Sequence, residues 1–136
     1  MAETKKFSIV VSEGSFDKAM MSMMMGNTAA SMGIDTHIYF TFFGLNLLKK
    51  GVKPKMPGMY RLFTGMMIKK MKSIGIEGYQ EQLAMAKDLG VHLYACGTSM
   101  EMMGVKKEDL IDGVTVLGAA AFLNVGMDSD MQLFIG

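Results

Sequence analysis

Residues 7–42, FSIVVSEGSFDKAMMSMMMGNTAASMGIDTHIYFTF, decide the fold. The run from Phe7 to Val11 is short, apolar and β-rich, which predicts a buried strand. Ser12-Glu13-Gly14-Ser15 supplies turn chemistry. The pattern from about Phe16 to Met32 predicts a helix that is apolar almost all round, with Ala19, Met20, Met23 and Met24 on one side and Met21, Met25 and Met32 on another. Such a helix needs burial on more than one face, against a sheet and against a second subunit. Gly33 ends it. Asp35 to Phe42, rich in aromatic and β-branched residues, reads as a second strand. Strand, helix and strand joined by short loops form the crossover unit of a parallel sheet.

The same alternation continues along the chain. Gly44 to Lys50 predicts a short helix. Pro54 and Pro57 interrupt regular structure. Met59 to Lys72 predicts an amphipathic helix, part of a Met-rich segment over 56–72, lying on the sheet, on a neighbouring subunit or on a membrane surface. Glu77 to Leu89 is a cleaner amphipathic helix, stopped by Gly90. Val91 to Cys96 is a third strand. A short helix follows Thr98 and ends at Gly104, and Lys107 to Ile111 is another helical turn. Val114 to Leu117 is a fourth strand, Gly118 to Val125 a last helix, and Met131 to Ile135 a fifth strand. The prediction is one α/β domain over residues 1–136, a three-layer α/β/α sandwich with a five-stranded, mostly parallel sheet.

Composition removes several function classes. Lys and Arg number 14 against 13 Asp and Glu, which gives no basic patch for nucleic acid. Only Arg61 offers a guanidinium fork for phosphate. No stretch of about 18 uninterrupted apolar residues marks a transmembrane segment. The polar start, Met1 to Phe7, lacks the apolar run of a signal peptide. A single cysteine permits no internal disulfide and fits a reducing compartment, so the expected location is cytoplasmic. The 18 methionines read as fillers of cores and apolar interfaces, against the alternative of a thioether Cu(I) site. Phosphate-loop, dinucleotide and serine-hydrolase signatures are absent. With one cysteine and no His-x-x-x-His pair, the expected metal complement is none, no cofactor is implied, and His37 and His92 read as structural.

In parallel sheets the reaction site lies beyond the carboxyl ends of the strands. Cys96 is the last residue of its strand. Gly97 then allows close backbone approach. Thr98-Ser99-Met100-Glu101 matches a capping box, which predicts a helix N-terminus two residues past the thiol. An ordinary thiol with pKa near ~8.5 is about 3% ionised at pH 7. The N–H groups of Thr98 or Ser99, and their hydroxyls, would favour the thiolate and lower that pKa. The competing reading is a cysteine that only fills space. The pocket around Cys96 is expected to be lined by Ser12, Gly14, Ser15, Thr41, Phe43, Gly44, Gly97, Thr98, Ser99 and Met100.

Three segments carry a resemblance to the DsrE/DsrF-like superfamily, in its DsrE-like "predicted peroxiredoxin" branch. They are Ile9-Val10-Val11-Ser12-Glu13-Gly14 through Ala19, Tyr39-Phe40-Thr41-Phe42-Phe43-Gly44-Leu45, and Ala95-Cys96-Gly97-Thr98-Ser99-Met100 with Met103-Gly104 and Asp109 to Val114. The resemblance implies a five-stranded parallel sheet between helices. It also implies homo-oligomers (dimers, trimers or hexamers) and a cysteine that carries sulfur as a persulfide between donor and acceptor proteins or small thiols. Cys96 occupies that kind of site. The chain has neither a second, resolving cysteine nor a proline-threonine-cysteine motif, which argues against a peroxidase. The leading expectation is a sulfur carrier or sulfurtransferase. The alternatives are a non-catalytic small-ligand or partner-binding subunit and a redox-sensing thiol.

Overall fold

A computed structural model of the chain describes residues 4–136. Five parallel strands form one sheet: β1 (Lys6–Val11), β2 (Asp35–Phe40), β3 (His92–Cys96), β4 (Val114–Leu117) and β5 (Met131–Ile135), in the order β4-β3-β2-β1-β5. The helices are α1 (Phe16–Ser31), α2 (Thr64–Ser73), α3 (Tyr79–Asp88), α4 (Gly97–Met103) and α5 (Ala119–Met127).

The strand order fixes how the two faces are covered. From β1 to β4 the chain steps in one direction across the sheet, then returns to the far side of β1 for β5. Right-handed crossovers place connections that step one way on one face and a connection that steps back on the other. Accordingly the main core lies between the sheet and α1 and α3. It holds Phe7, Ile9, Val11, Ile38, Phe40, Leu93 and Ala95 from the strands with Ala19, Met23, Leu83 and Ala86 from the helices. On the opposite face α5 supplies Phe122, which packs with Tyr39 and Cys96. The sandwich is three-layered but unequal: the second face also carries exposed His92, Thr115, Gln132 and Phe134.

Local chemistry explains where the elements differ from their predicted limits. β2 stops at Phe40, and Phe42 has φ 48°, so the expected strand end at Phe42 gives way to a 3₁₀ turn over Phe42–Leu48. The expected helix over 59–72 is divided into a 3₁₀ turn, Gly58–Phe63, and α2. Its apolar side packs only in part: Ile68 and Met71 reach the core, whereas Met59, Leu62, Phe63 and Met66 are exposed and do not lie on the sheet. Helix α1 buries Phe16, Ala19, Met20, Met23 and Ala29, and Asn27 Nδ2 donates to the Gln82 carbonyl of α3 at 2.9 Å. Met21, Met24 and Met25 remain on its open side. Among the described residues no helix is long and apolar enough to cross a membrane.

Candidate functional site

Alternation along β2 and β3 sends Asp35, His37 and Tyr39, and likewise His92, Tyr94 and Cys96, to the face covered by α5. Tyr39 pairs with Tyr94 in the ladder and Cys96 with Leu117. Cys96 therefore ends β3 beside the turn that leaves β2. Its backbone is extended (φ −71°, ψ 114°), and it is itself the N-cap of α4, which starts at Gly97. This corrects the capping-box expectation: Thr98 lies inside the first turn and is exposed, and no side-chain hydrogen bond of ordinary geometry caps the helix. The helix starts directly at the strand end, at Gly97, where an added Cβ would press to 3.3 Å from the Val116 side chain.

The thiol sits in a small polar enclosure. Cys96 is 8% exposed. Ser99 is buried, its Oγ accepts from the Phe42 N–H at 2.9 Å, and it shares a hydrogen bond with Thr41 Oγ1 at 3.0 Å. Tyr39 OH donates to the Leu117 carbonyl at 3.3 Å, and its ring stacks on Phe122 at 4.4 Å. Burial pushes the Cys96 thiol up. The Ser99 hydroxyl, the Tyr39 hydroxyl, the Ser99 N–H and the Thr41 hydroxyl more than offset it, and the thiol is lowered to about 7. With α4 only seven residues long, these local donors outweigh any summed helix dipole. Burial, then hydrogen bonding and charge at Cys96, hold the Tyr39 phenol well above its usual range, so it remains a donor.

The remaining expected pocket residues are distributed more widely. Gly44 packs against the end of β1: a Cβ there would stand 2.3 Å from the Val11 carbonyl oxygen. Gly14 meets the Phe43 carbonyl in the same way, at 2.7 Å. The loop after β1 and the turn after β2 are thus in backbone contact. Ser12 directly follows β1, its N–H donating to Ile135 O at 3.0 Å. Ser15 carries a buried Oγ with no protein partner. Phe43 is exposed, and Met100 belongs to the main core rather than to the cluster around Cys96. A cavity of about 230 Å³, lined by Phe16, Met20, Val52, Ile68 and Tyr79 among others, opens on the α1 and α3 side and does not include the thiol. Tyr39 was not singled out from sequence. Its signal was parity: it stands two residues before Thr41 and so on the same face of the strand.

Below the thiol on this face lies a second polar group. His37 joins Tyr94 OH through Nδ1 (2.7 Å) and Asp35 through Nε2 (2.9 Å), and His92 Nε2 lies 3.3 Å from Asp35. Burial first lowers the His37 pKa, opposed by Asp35. Burial raises the Asp35 pKa, but the hydrogen bond and charge of His37, with His92 and Lys6, lower it overall.

Comparison with known proteins agrees with this architecture. The sulfur carrier protein DsrE2 of Allochromatium vinosum is 32% identical over 98% of this chain and 99% of its own length. The uncharacterized protein YrkE of Bacillus subtilis is also 32% identical, over 98% of each chain. The solved structure of MTH1491, a protein of unknown function from Methanobacterium thermoautotrophicum, superposes with a TM-score of 0.70 at 12% identity, over 95% of this chain and 98% of that one. The family model described as DsrE/DsrF/DrsH-like matches residues 3–57 and 52–134, and the chain belongs to that family.

Proposed function

We propose that the protein is a sulfur carrier or sulfurtransferase that holds sulfur as a persulfide on Cys96. The observation that carries this reading is the place of Cys96, which ends β3 and caps α4, buried beside Tyr39 and the hydrogen-bonded Thr41–Ser99 pair, with its thiol lowered to about 7. A thiolate is the attacking species, and a thiol with pKa near ambient pH combines ionisation with nucleophilicity. The Cys96 thiolate attacks the outer sulfur of a donor persulfide, R–S–SH, giving Cys96–S–SH and R–S⁻. An acceptor thiolate then takes the outer sulfur and restores Cys96–S⁻. Both steps conserve electrons and need no cofactor. The same donors that stabilise the thiolate stabilise the persulfide anion. The relative named as a sulfur carrier supports the sulfur-related reading.

Intact-mass spectrometry after incubation with thiosulfate, tetrathionate or polysulfide tests it. Wild type is expected to gain sulfur that a thiol reductant removes, and Cys96→Ser to gain none. An unmodified wild type with an alkylatable thiol would favour the alternative, a ligand- or partner-binding subunit in which Cys96 only lines the site. Sulfur donors and acceptors are proposed to be proteins or small thiols in the cytoplasm, where a lone thiol stays reduced.

A homo-oligomer is proposed as the working form. Met59, Leu62, Phe63 and Met66 form an exposed apolar group of the kind that marks an interaction surface. Sedimentation velocity is expected to show a dimer, trimer or hexamer that Leu62→Asp with Met66→Asp converts to monomer. A monomeric wild type at all concentrations would end this proposal.

A further inference from the structure

We propose that Asp35, His37 and His92 form a binding site for a divalent transition-metal ion of the zinc class, separate from the thiol. Three observations carry it. First, the parallel β2–β3 register sets His37 beside His92, with the rings stacked 4.4 Å apart and 13° from parallel. Both turn Nε2 toward the same carboxylate, at 2.9 Å and 3.3 Å from its two oxygens, and one ligand atom from each of the three residues lies within 4.8 Å of the others. An ion held at about 2.0–2.1 Å by imidazole nitrogen and carboxylate oxygen needs ligand atoms about 3.3 Å apart. The carboxylate therefore already stands near that spacing from both imidazoles.

Second, the buried ligand is oriented from behind. Tyr94 OH lies 2.7 Å from His37 Nδ1. Metal-bound histidines are typically fixed by such a partner on the other ring nitrogen. Without an ion, His37 Nε2–H donates to Asp35 and Tyr94 donates to Nδ1. With an ion on Nε2, the imidazole proton moves to Nδ1 and the Tyr94 hydroxyl becomes the acceptor. Both ring nitrogens of His37 keep a partner in either state.

Third, access differs across the group. His37 is buried, whereas Asp35 is half-buried and His92 exposed, so an ion can enter from the open side and keep a position for water or a further ligand. Two neutral imidazoles and one carboxylate suit zinc and its neighbours better than calcium or magnesium. Lys6, the ladder partner of Asp35, places its positive charge on the cluster and works against a bound cation. Cys96 lies four residues farther along β3, roughly 13 Å away at about 3.3 Å per residue, and cannot share the ion.

The test is a Zn²⁺ titration of the full chain against a chromophoric zinc indicator. The proteins compared are wild type, His92→Asn and Cys96→Ser. Wild type is expected to bind one zinc per chain. His92→Asn, a change at an exposed residue, is expected to weaken binding by about tenfold or more, and Cys96→Ser to leave it unchanged. No saturable binding by wild type would overturn the proposal. So would binding that Cys96→Ser abolishes and His92→Asn leaves intact.

Discussion

Alkylation of Cys96 by iodoacetamide is expected to follow a titration with its midpoint at about pH 7. The tandem change Tyr39→Phe with Ser99→Ala is expected to move that midpoint to about 9 or above. The midpoint is the readout because the slow access of a reagent to a buried thiol scales the rate at every pH without shifting the curve. Half the thiol is ionised when pH equals pKa, and about 1% when the pKa lies two units higher, so reactivity at pH 7 should fall roughly 50-fold. Ser99→Ala alone keeps the Ser99 N–H and should shift the midpoint by about one unit. Once those two hydroxyls are gone, burial is opposed only by the Ser99 N–H and the Thr41 hydroxyl and drives the thiol upward.

The same shift links pH to folding. The folded-state pKa lies below the unfolded value, so the folded state favours the thiolate. Its stabilisation is complete above the unfolded pKa and is lost as pH falls through about 7. Relative to Cys96→Ser, wild type should therefore gain on the order of 2 kcal/mol between pH 7 and 9. A wild-type midpoint at the ordinary thiol value would remove the activated-thiol reading and, with it, the main support for a persulfide carrier.

The strands and the crossovers between them were legible because each is an apolar run bounded by glycine or turn residues, and the position of Cys96 at a strand end followed directly. The identity of the residues around the thiol was less legible. Tyr39 reaches Cys96 through the β2–β3 register and the parity it shares with Thr41, and Phe122 of α5 stacks on its ring from the second face. The parity is local, but the register and the stacking partner are not. His37 and His92 are 55 residues apart in sequence and meet only through register. Reading each as an isolated structural histidine missed Asp35 as the shared partner. The capping box failed for a different reason: the motif was present, but the helix begins at the strand end, at Gly97, which makes the cysteine the cap. The 59–72 stretch carried a correct helical period, yet period alone does not say whether an apolar face has a partner within the chain.

Gly44→Ala is expected to be among the most destabilising single substitutions in the chain. The cost is about 3 kcal/mol or more on urea unfolding, with a matching loss of thiol reactivity at pH 7. The added methyl carbon would stand 2.3 Å from Val11 O, 2.8 Å from Val11 C and 3.3 Å from Ser12 N. These are backbone atoms at the end of the strand, and they have no rotamer by which to withdraw. Val11 O also accepts the Thr41 N–H at 2.9 Å, and Gly44 N–H donates to Thr41 O at 2.9 Å. Relief of the clash must therefore displace the turn that carries Thr41 and Phe42. Those two residues hold Ser99 Oγ, and Ser99 is the foremost donor that lowers the thiol.

Gly65→Ala provides the contrast. Gly65 lies in α2, and an added Cβ meets nothing within 4 Å. Alanine there should stabilise by up to about 1 kcal/mol through helix propensity and leave the alkylation midpoint in place. Equal effects at Gly44 and Gly65 would mean that the two strand-end loops are not in the backbone contact described, and that Ser99 is positioned by α4 alone.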